Sequence, residues 1–274
     1  RVFEDSPSRL RREAGMEGST RLQRATENAM GSYRRKPKRI TARMEQHHHE
    51  ASSDGGKRPP DPGRRLAYYG PYILPFALFA VCTYAGPLLG LSAGPAYVVK
   101  TLLVGSSLVM LWRFFAGEIR VAFSLEAVLA GIAVFGAWVL LDGLYPHMGR
   151  SAFNPYGEAG GSSAVVYIAF RLMGAVLVVP VMEEIFWRSF ALRFVLRSDF
   201  RSVPLGRFSW FGFLLVALLF GLEHNRWRAG IIAGMVYAGL LHRSRNLFLP
   251  ILSHAVTNLL LGVYVLLTQQ WTFW

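Results

Sequence analysis

Apolar residues in this chain gather into long runs separated by short polar breaks, from Tyr68 onward. They do not recur at the three- and four-residue spacing of a half-buried helix, so the pattern predicts transmembrane helices. Seven runs stand out, at 68–90, 97–115, 124–145, 164–196, 208–226, 229–242 and 247–268. The expected fold is all-α: a polytopic transmembrane helix bundle of about seven to eight spans. A span needs about 20 apolar residues, so the fourth run must tilt or protrude, and the sixth is short and glycine-rich. Pro71, Pro75 and Pro87 make the first run irregular. Membrane bundles tolerate this when neighbouring helices take up the freed carbonyls.

Residues 1–67 differ in kind. They hold few apolar residues and many Arg, Ser, Gly and Pro, so a disordered basic tail is expected there. The tail lacks the apolar core of a signal peptide. Because the sequence begins at Arg1, Met44 is the expected true start. His47, His48 and His49 in such a tail are read as incidental.

Composition agrees with the pattern: 52% hydrophobic and only 17% charged residues are too apolar for an ordinary soluble domain. The net charge of +13 invites a nucleic-acid reading. Positive-inside topology explains it better, because most Arg residues beyond the tail lie between the apolar runs. The lipid bilayer, and no nucleic acid, is therefore the expected partner. Arg113 and Arg120, the group Arg193, Arg197, Arg201 and Arg207, and the pair Arg243 and Arg245 place the N-terminus inside; Arg226 and Arg228 dissent. The single Cys82 excludes an internal disulfide.

Ionisable groups inside a bilayer are costly and mark function by default. The fourth run contains Glu183, Glu184 and Arg188. Glu184 and Arg188 are four residues apart on one helix face and suit a buried ion pair. Glu183 points about 100° away and is left free. A carboxylate without a cationic partner in a dry site suits a general base or acid, or a metal ligand. Pro180, one turn earlier, is expected to kink the helix and open space beside it. His224 ends the fifth run, and His254 and Asn258 share a face of the seventh at i, i+4. Together the set supplies what hydrolysis needs. Glu and His activate or ligate a water, and imidazole and amide donors stabilise an oxyanion.

Over roughly residues 165–268 the chain resembles a known family, through Glu183-Glu184-x-x-x-Arg188, Phe220-x-x-x-His224 and His254-x-x-x-Asn258. These are similar to the EExxxR, FxxxH and HxxxN motifs of the type II CAAX prenyl endopeptidases and their bacterial relatives. That is the CAAX-protease and bacteriocin-processing family of intramembrane metallopeptidases. The resemblance implies an intramembrane metalloendopeptidase acting on a peptide or protein, including membrane-anchored ones. Glu183 and His224 would activate the attacking water, with a divalent metal such as zinc held by Glu183, His224 and His254. His254 and Asn258 would bind the metal or form the oxyanion hole, while Glu184 and Arg188 keep the site in shape. The implied division is a tail at 1–67, N-terminal transmembrane helices at 68–163 and catalytic helices at 164–268. The expected location is the bacterial inner membrane.

Other chemistries fit less well. No HExxH is present, and Asp142 and Asp199 are not in paired aspartyl-protease motifs. Asp142 is expected near the outer interface, and Lys100 and Arg171 are expected to snorkel. Glu126 should begin a helix. Two alternatives remain open: a non-proteolytic binding or immunity-type membrane protein, and a small transporter with Glu183 as proton relay. One geometric tension stands. Counted from the run boundaries, His224 lies about 24 Å deep, while Glu183 and His254 lie about 15 and 10 Å from the same boundary.

Overall fold

A computed structural model describes residues 62–149, 153–158 and 162–274. The expectations for the tail up to Asp61, with Met44 and His47–His49, lie outside the described residues. Those for residues 62–67 are corrected: they are helical, because the first helix starts at Pro62, where a missing N–H costs nothing.

All seven apolar runs form helices. They are α1 (Pro62–Leu88), α2 (Ala93–Leu111), α3 (Leu125–Leu140), α4 (162–194), α5 (Trp210–Leu222), α6 (Trp227–Ser244) and α7 (Phe248–Thr268). No strand occurs among the described residues. The stretches Arg65–Gly86, Ala93–Phe114, Ser163–Phe194 and Phe248–Thr268 are long and apolar enough to cross a membrane; Leu125–Leu140 and Trp210–Leu222 are shorter. Large apolar side chains point outward along these helices, with Val109 77% and Leu267 80% exposed. Such faces would be untenable in water and suit hydrocarbon. The protein is an integral membrane protein.

Local chemistry sets the helix ends. Ser124 and Ser209 cap α3 and α5 by accepting from the amides of Ala127 and Gly212. Arg245 and Gln269 take left-handed conformations that stop α6 and α7. Glu126 stands in the first turn of α3 as expected, 3.5 Å from Arg243.

The central post is α4, which packs against α1, α2, α5 and α7. It is not a uniform helix. Two widened π stretches, Gly174–Val178 and Ile185–Ala191, flank the α-helical segment Val179–Glu184. The first lies immediately before Pro180, so the break expected at that proline is absorbed by widening. Small residues let the other helices close in. At Gly131 on α3 an added Cβ would lie 2.5 Å from the Ser253 carbonyl of α7, and Gly221 on α5 meets Ile231 of α6 as tightly.

Candidate functional site

The segment Val179–Glu184 buries both carboxylates of the EExxxR pattern: Glu183 is 3% and Glu184 0% exposed. As the i, i+4 spacing predicts, Arg188 Nε lies 3.0 Å from Glu184 Oε2. The contact is close but poorly aligned, and neither terminal nitrogen of Arg188 has a hydrogen-bond partner. Instead the guanidinium lies 4.0 Å above the Phe220 ring and 5.3 Å from that of Tyr237, a desolvated cation–π arrangement.

The other oxygen of Glu184 faces His254 Nδ1 at 3.0 Å. A carboxylate accepts only, so Nδ1 carries the proton and Nε2 presents its lone pair. Nε2 points to Glu183, 4.0 Å from an Oε2 that has no hydrogen-bond partner. Tyr237 stacks on the His254 ring at 4.9 Å and 20°, and its hydroxyl donates to Thr257 at 2.8 Å. Thr257 donates in turn to the Gly131 carbonyl. The imidazole is therefore held on its edge by Glu184 and on its face by Tyr237.

His224 stands just beyond the end of α5. Its Nδ1 bonds the Phe220 carbonyl at 2.8 Å, which fixes the proton there and leaves Nε2 as an acceptor. The depth tension does not keep the residues apart: with α5 running from Trp210 to Leu222, His224 lines the cavity that Glu183, His254 and Asn258 also line. This cavity measures about 500 Å³. All four residues proposed from the sequence thus share one chamber.

Asn258 does something the sequence did not suggest. Its amide nitrogen donates to the Ala175 carbonyl at 2.7 Å. Val179 N–H, which an α-helix would give to Ala175, bonds Gly174 instead, and the next residue, Pro180, has no N–H. Asn258 closes this gap in α4, so at least one of its donors is committed to holding the helix.

One residue was missed. Glu223 lines the same cavity and accepts from the Trp187 indole at 2.9 Å. Its only signal in the sequence was a carboxylate beside His224 at the end of an apolar run. Lys100 and Arg171 were expected to snorkel to the interface; both line this cavity instead. Asp142, expected near an interface, pairs with Arg226 at 2.7 Å and His147 at 3.0 Å.

The donors have the chemistry of a divalent-metal site: two imidazoles with Nδ1 anchored by acceptors, and a carboxylate oxygen left open. Their spacing does not complete one. Among the described residues no group of three His, Cys, Asp or Glu side chains converges enough to hold an ion. Of the three residues expected to hold a metal, Glu183, His224 and His254, Glu183 and His254 approach to 4.0 Å, and His224 lines the same chamber.

The family model described as Type II CAAX prenyl endopeptidase Rce1-like matches residues 164–260. This segment is similar to that family. The match takes in the three motifs, from Glu183 through His224 to Asn258, and leaves α1 to α3 outside it. No curated protein and no solved structure matches the chain. Within the Rce1-like segment lie α4, α5, α6 and the first part of α7, the helices that bring the four site residues together.

Proposed function

We propose that this protein is an intramembrane endopeptidase of the CAAX-protease type, hydrolysing a peptide bond with a water activated by Glu183. The observation that carries the reading is the gap between Glu183 Oε2 and His254 Nε2. Both atoms are acceptors, both are buried, and they stand 4.0 Å apart. A water about 2.8 Å from each would sit at an angle of roughly 90° between them, acceptable for two hydrogen bonds.

In this reading Glu183 takes the proton as the water oxygen attacks the scissile carbonyl, and later delivers it to the leaving amine. His254 aims the water, held by Glu184 and Tyr237. Its Nε2 donates to an oxyanion only once it has itself gained a proton. The second N–H of Asn258 is the neutral donor available to the tetrahedral oxygen. His224 Nε2 positions the water or the substrate from within the same chamber. The substrate is a peptide or protein, membrane-anchored ones included, reached from the bilayer or the inner face. The inner membrane of a bacterium, with the N-terminus inside, is the proposed setting.

A bound zinc or similar ion would polarise the water and the carbonyl. Holding one requires His224 and His254 to close on Glu183 beyond the arrangement described. Chelator dialysis with metal add-back separates the two versions. Loss and recovery of turnover assigns the imidazoles as ligands, and retained turnover leaves Glu183 acting directly.

The central test is cleavage by Glu183→Ala and His254→Ala protein in detergent, with peptides identified by comparing proteomes of wild-type and Glu183→Ala cells. Both variants should fold and fail to cleave. Normal turnover in either would end the assignment.

A further inference from the structure

Two neighbouring helices, α5 and α6, are too short for an undisturbed bilayer, whose hydrocarbon core is about 30 Å thick. With 21 residues at about 1.5 Å each, α7 covers that thickness, and so does the stretch Ala93–Phe114. With 13 residues, α5 reaches only about 20 Å. The apolar part of α6 is 229–241, between Arg228 and His242, again about 20 Å. In α3, which packs on α6, the apolar part between Glu126 and Asp142 reaches about 22 Å. Tilting would shorten each of them further.

The shortfall lies at one end. Phe220 of α5 meets His254 of α7, with ring centroids 6.2 Å apart, and both helices run the same way because α6 turns back after α5. Beyond this contact α7 continues to Thr268, about 21 Å, while α5 continues only to Leu222, about 3 Å. The bundle therefore has a step. Glu223, Asn225 and Arg228 stand exposed at its edge, and Glu223, His224 and Asn225 line the chamber of Glu183. Trp187, one turn from Glu183 on α4, donates to Glu223 at 2.9 Å, so the edge is close to the level of the proposed base.

Lipid does not fill the step to full height. Segment 141–149 rests on it: the Met148 amide donates to the Asn225 carbonyl at 3.0 Å, and the Trp227 indole to the Pro146 carbonyl at 3.1 Å. This segment is irregular backbone with His147 and Met148 exposed. Lipid-exposed backbone of that kind does not occur within hydrocarbon. Below the step α5 does meet lipid, because Phe211, Leu214, Leu218 and Leu222 form one exposed apolar stripe.

We infer that this protein thins the bilayer beside α5 and α6 by about 10 Å, so that the water surface dips to Glu223, His224 and Asn225 and feeds the chamber. The partner is the bilayer itself. Arg207, Arg228 and Arg243 are long enough to stretch toward the headgroups; Glu223 and Asn225 are not, and the membrane must come to them. Because α1, α2 and α7 fit the full thickness, the dip is confined to one flank. The dip stands on the helix lengths alone. Its use, supplying hydrolytic water to Glu183, rests on the peptidase reading above.

The test uses the full-length protein with Cys82→Ser, reconstituted in short-, medium- and long-chain phosphatidylcholine bilayers. Single spin labels are attached at Leu222→Cys on α5 or Val263→Cys on α7, each residue being 43% exposed. Collision with a water-soluble nickel chelate is compared with collision with oxygen. Val263 lies about 10 Å farther along the bundle than Leu222, so a flat bilayer makes Val263 the wetter position. A dip reverses the order, and Leu222 should be severalfold the wetter. Turnover of a quenched-fluorescence peptide pool should be highest in short-chain bilayers and about tenfold lower in long-chain ones. Arg228→Leu, which lengthens the apolar part of α6, should move that optimum toward longer chains. Thermal melting identifies any variant that has failed to fold.

A wetter Val263 in every bilayer overturns the dip. Reversed order with turnover indifferent to chain length strikes out the water supply and keeps the dip, as does an optimum that Arg228→Leu leaves unmoved. If no peptide is cleaved in any lipid yet Leu222 is the wetter, the peptidase reading falls and the thinned bilayer stands.

Discussion

Two glutamate–arginine pairs hang on α4, and they are built to opposite specifications. At the cavity, Glu184 and Arg188 are wholly buried, yet Arg188 leaves both terminal nitrogens without hydrogen bonds, and neighbouring Glu183 keeps an open oxygen. Further along, Glu118 and Arg193 meet at 2.7 Å, and Arg193 also donates to the hydroxyl and carbonyl of Ser189. Glu118 accepts from Ser189 and from Tyr72 as well. Asn246 clamps the adjacent backbone, accepting from the Arg120 amide and donating to its carbonyl. The second pair is a completed network; the first is incomplete and adjoins Glu183, which lines the chamber. In a low-dielectric interior, unsatisfied polar atoms are expensive. Their concentration around Glu183 marks where chemistry, rather than stability, set the composition.

That contrast can be broken experimentally, and the largest effect should come first. Glu183→Gln should lower kcat by about a thousandfold, in the range of a lost general base, while the melting temperature stays level or rises. A marked fall in stability would mean that Glu183 is an anchor like Glu118. Next, Arg193→Met should cost about 2–4 kcal/mol of stability, somewhat under the figure for a fully buried pair because Glu118 is part-exposed. Its turnover at low temperature should stay within a few-fold of wild type, and loss of kcat without loss of stability would reverse the two roles. The smallest effect belongs to Asn258→Ala, which orphans the Ala175 carbonyl. It should cost about 1–3 kcal/mol, measured by denaturant unfolding in detergent. An unchanged stability would assign Asn258 to substrate alone.

Much of this could be read from the residues. Hydropathy located the seven long helices α1 to α7, because lipid solvation demands long apolar runs and little else does. The i, i+4 rule paired Glu184 with Arg188 and left Glu183 open, since helix geometry alone decides that. Three features escaped. His224 stands two residues past the end of α5 at Leu222, and hydropathy marks apolar runs without marking where a helix stops within them. Glu223 follows Leu222 in the chain, but only that ending turns it toward Trp187 and the cavity. Lys100 and Arg171 looked like interfacial residues because snorkelling explains any lone cation near a span end. Only the approach of α2 to α4, which Gly174 allows by meeting Tyr97 and Thr101 without a Cβ, brings them together.

The widened turns of α4 carry a consequence for how this protein tolerates change. A π stretch takes one surplus residue into a widened turn and leaves the winding on either side in phase. Removing a single residue from Gly174–Val178 would restore regular winding there and keep Glu183, Glu184 and Arg188 facing as they do. Removing one from the regular winding of α7 between Phe248 and His254 would instead swing His254 by about 100° against the start of its helix. A one-codon deletion should therefore be forgiven in the widened turn of α4 far more readily than in α7.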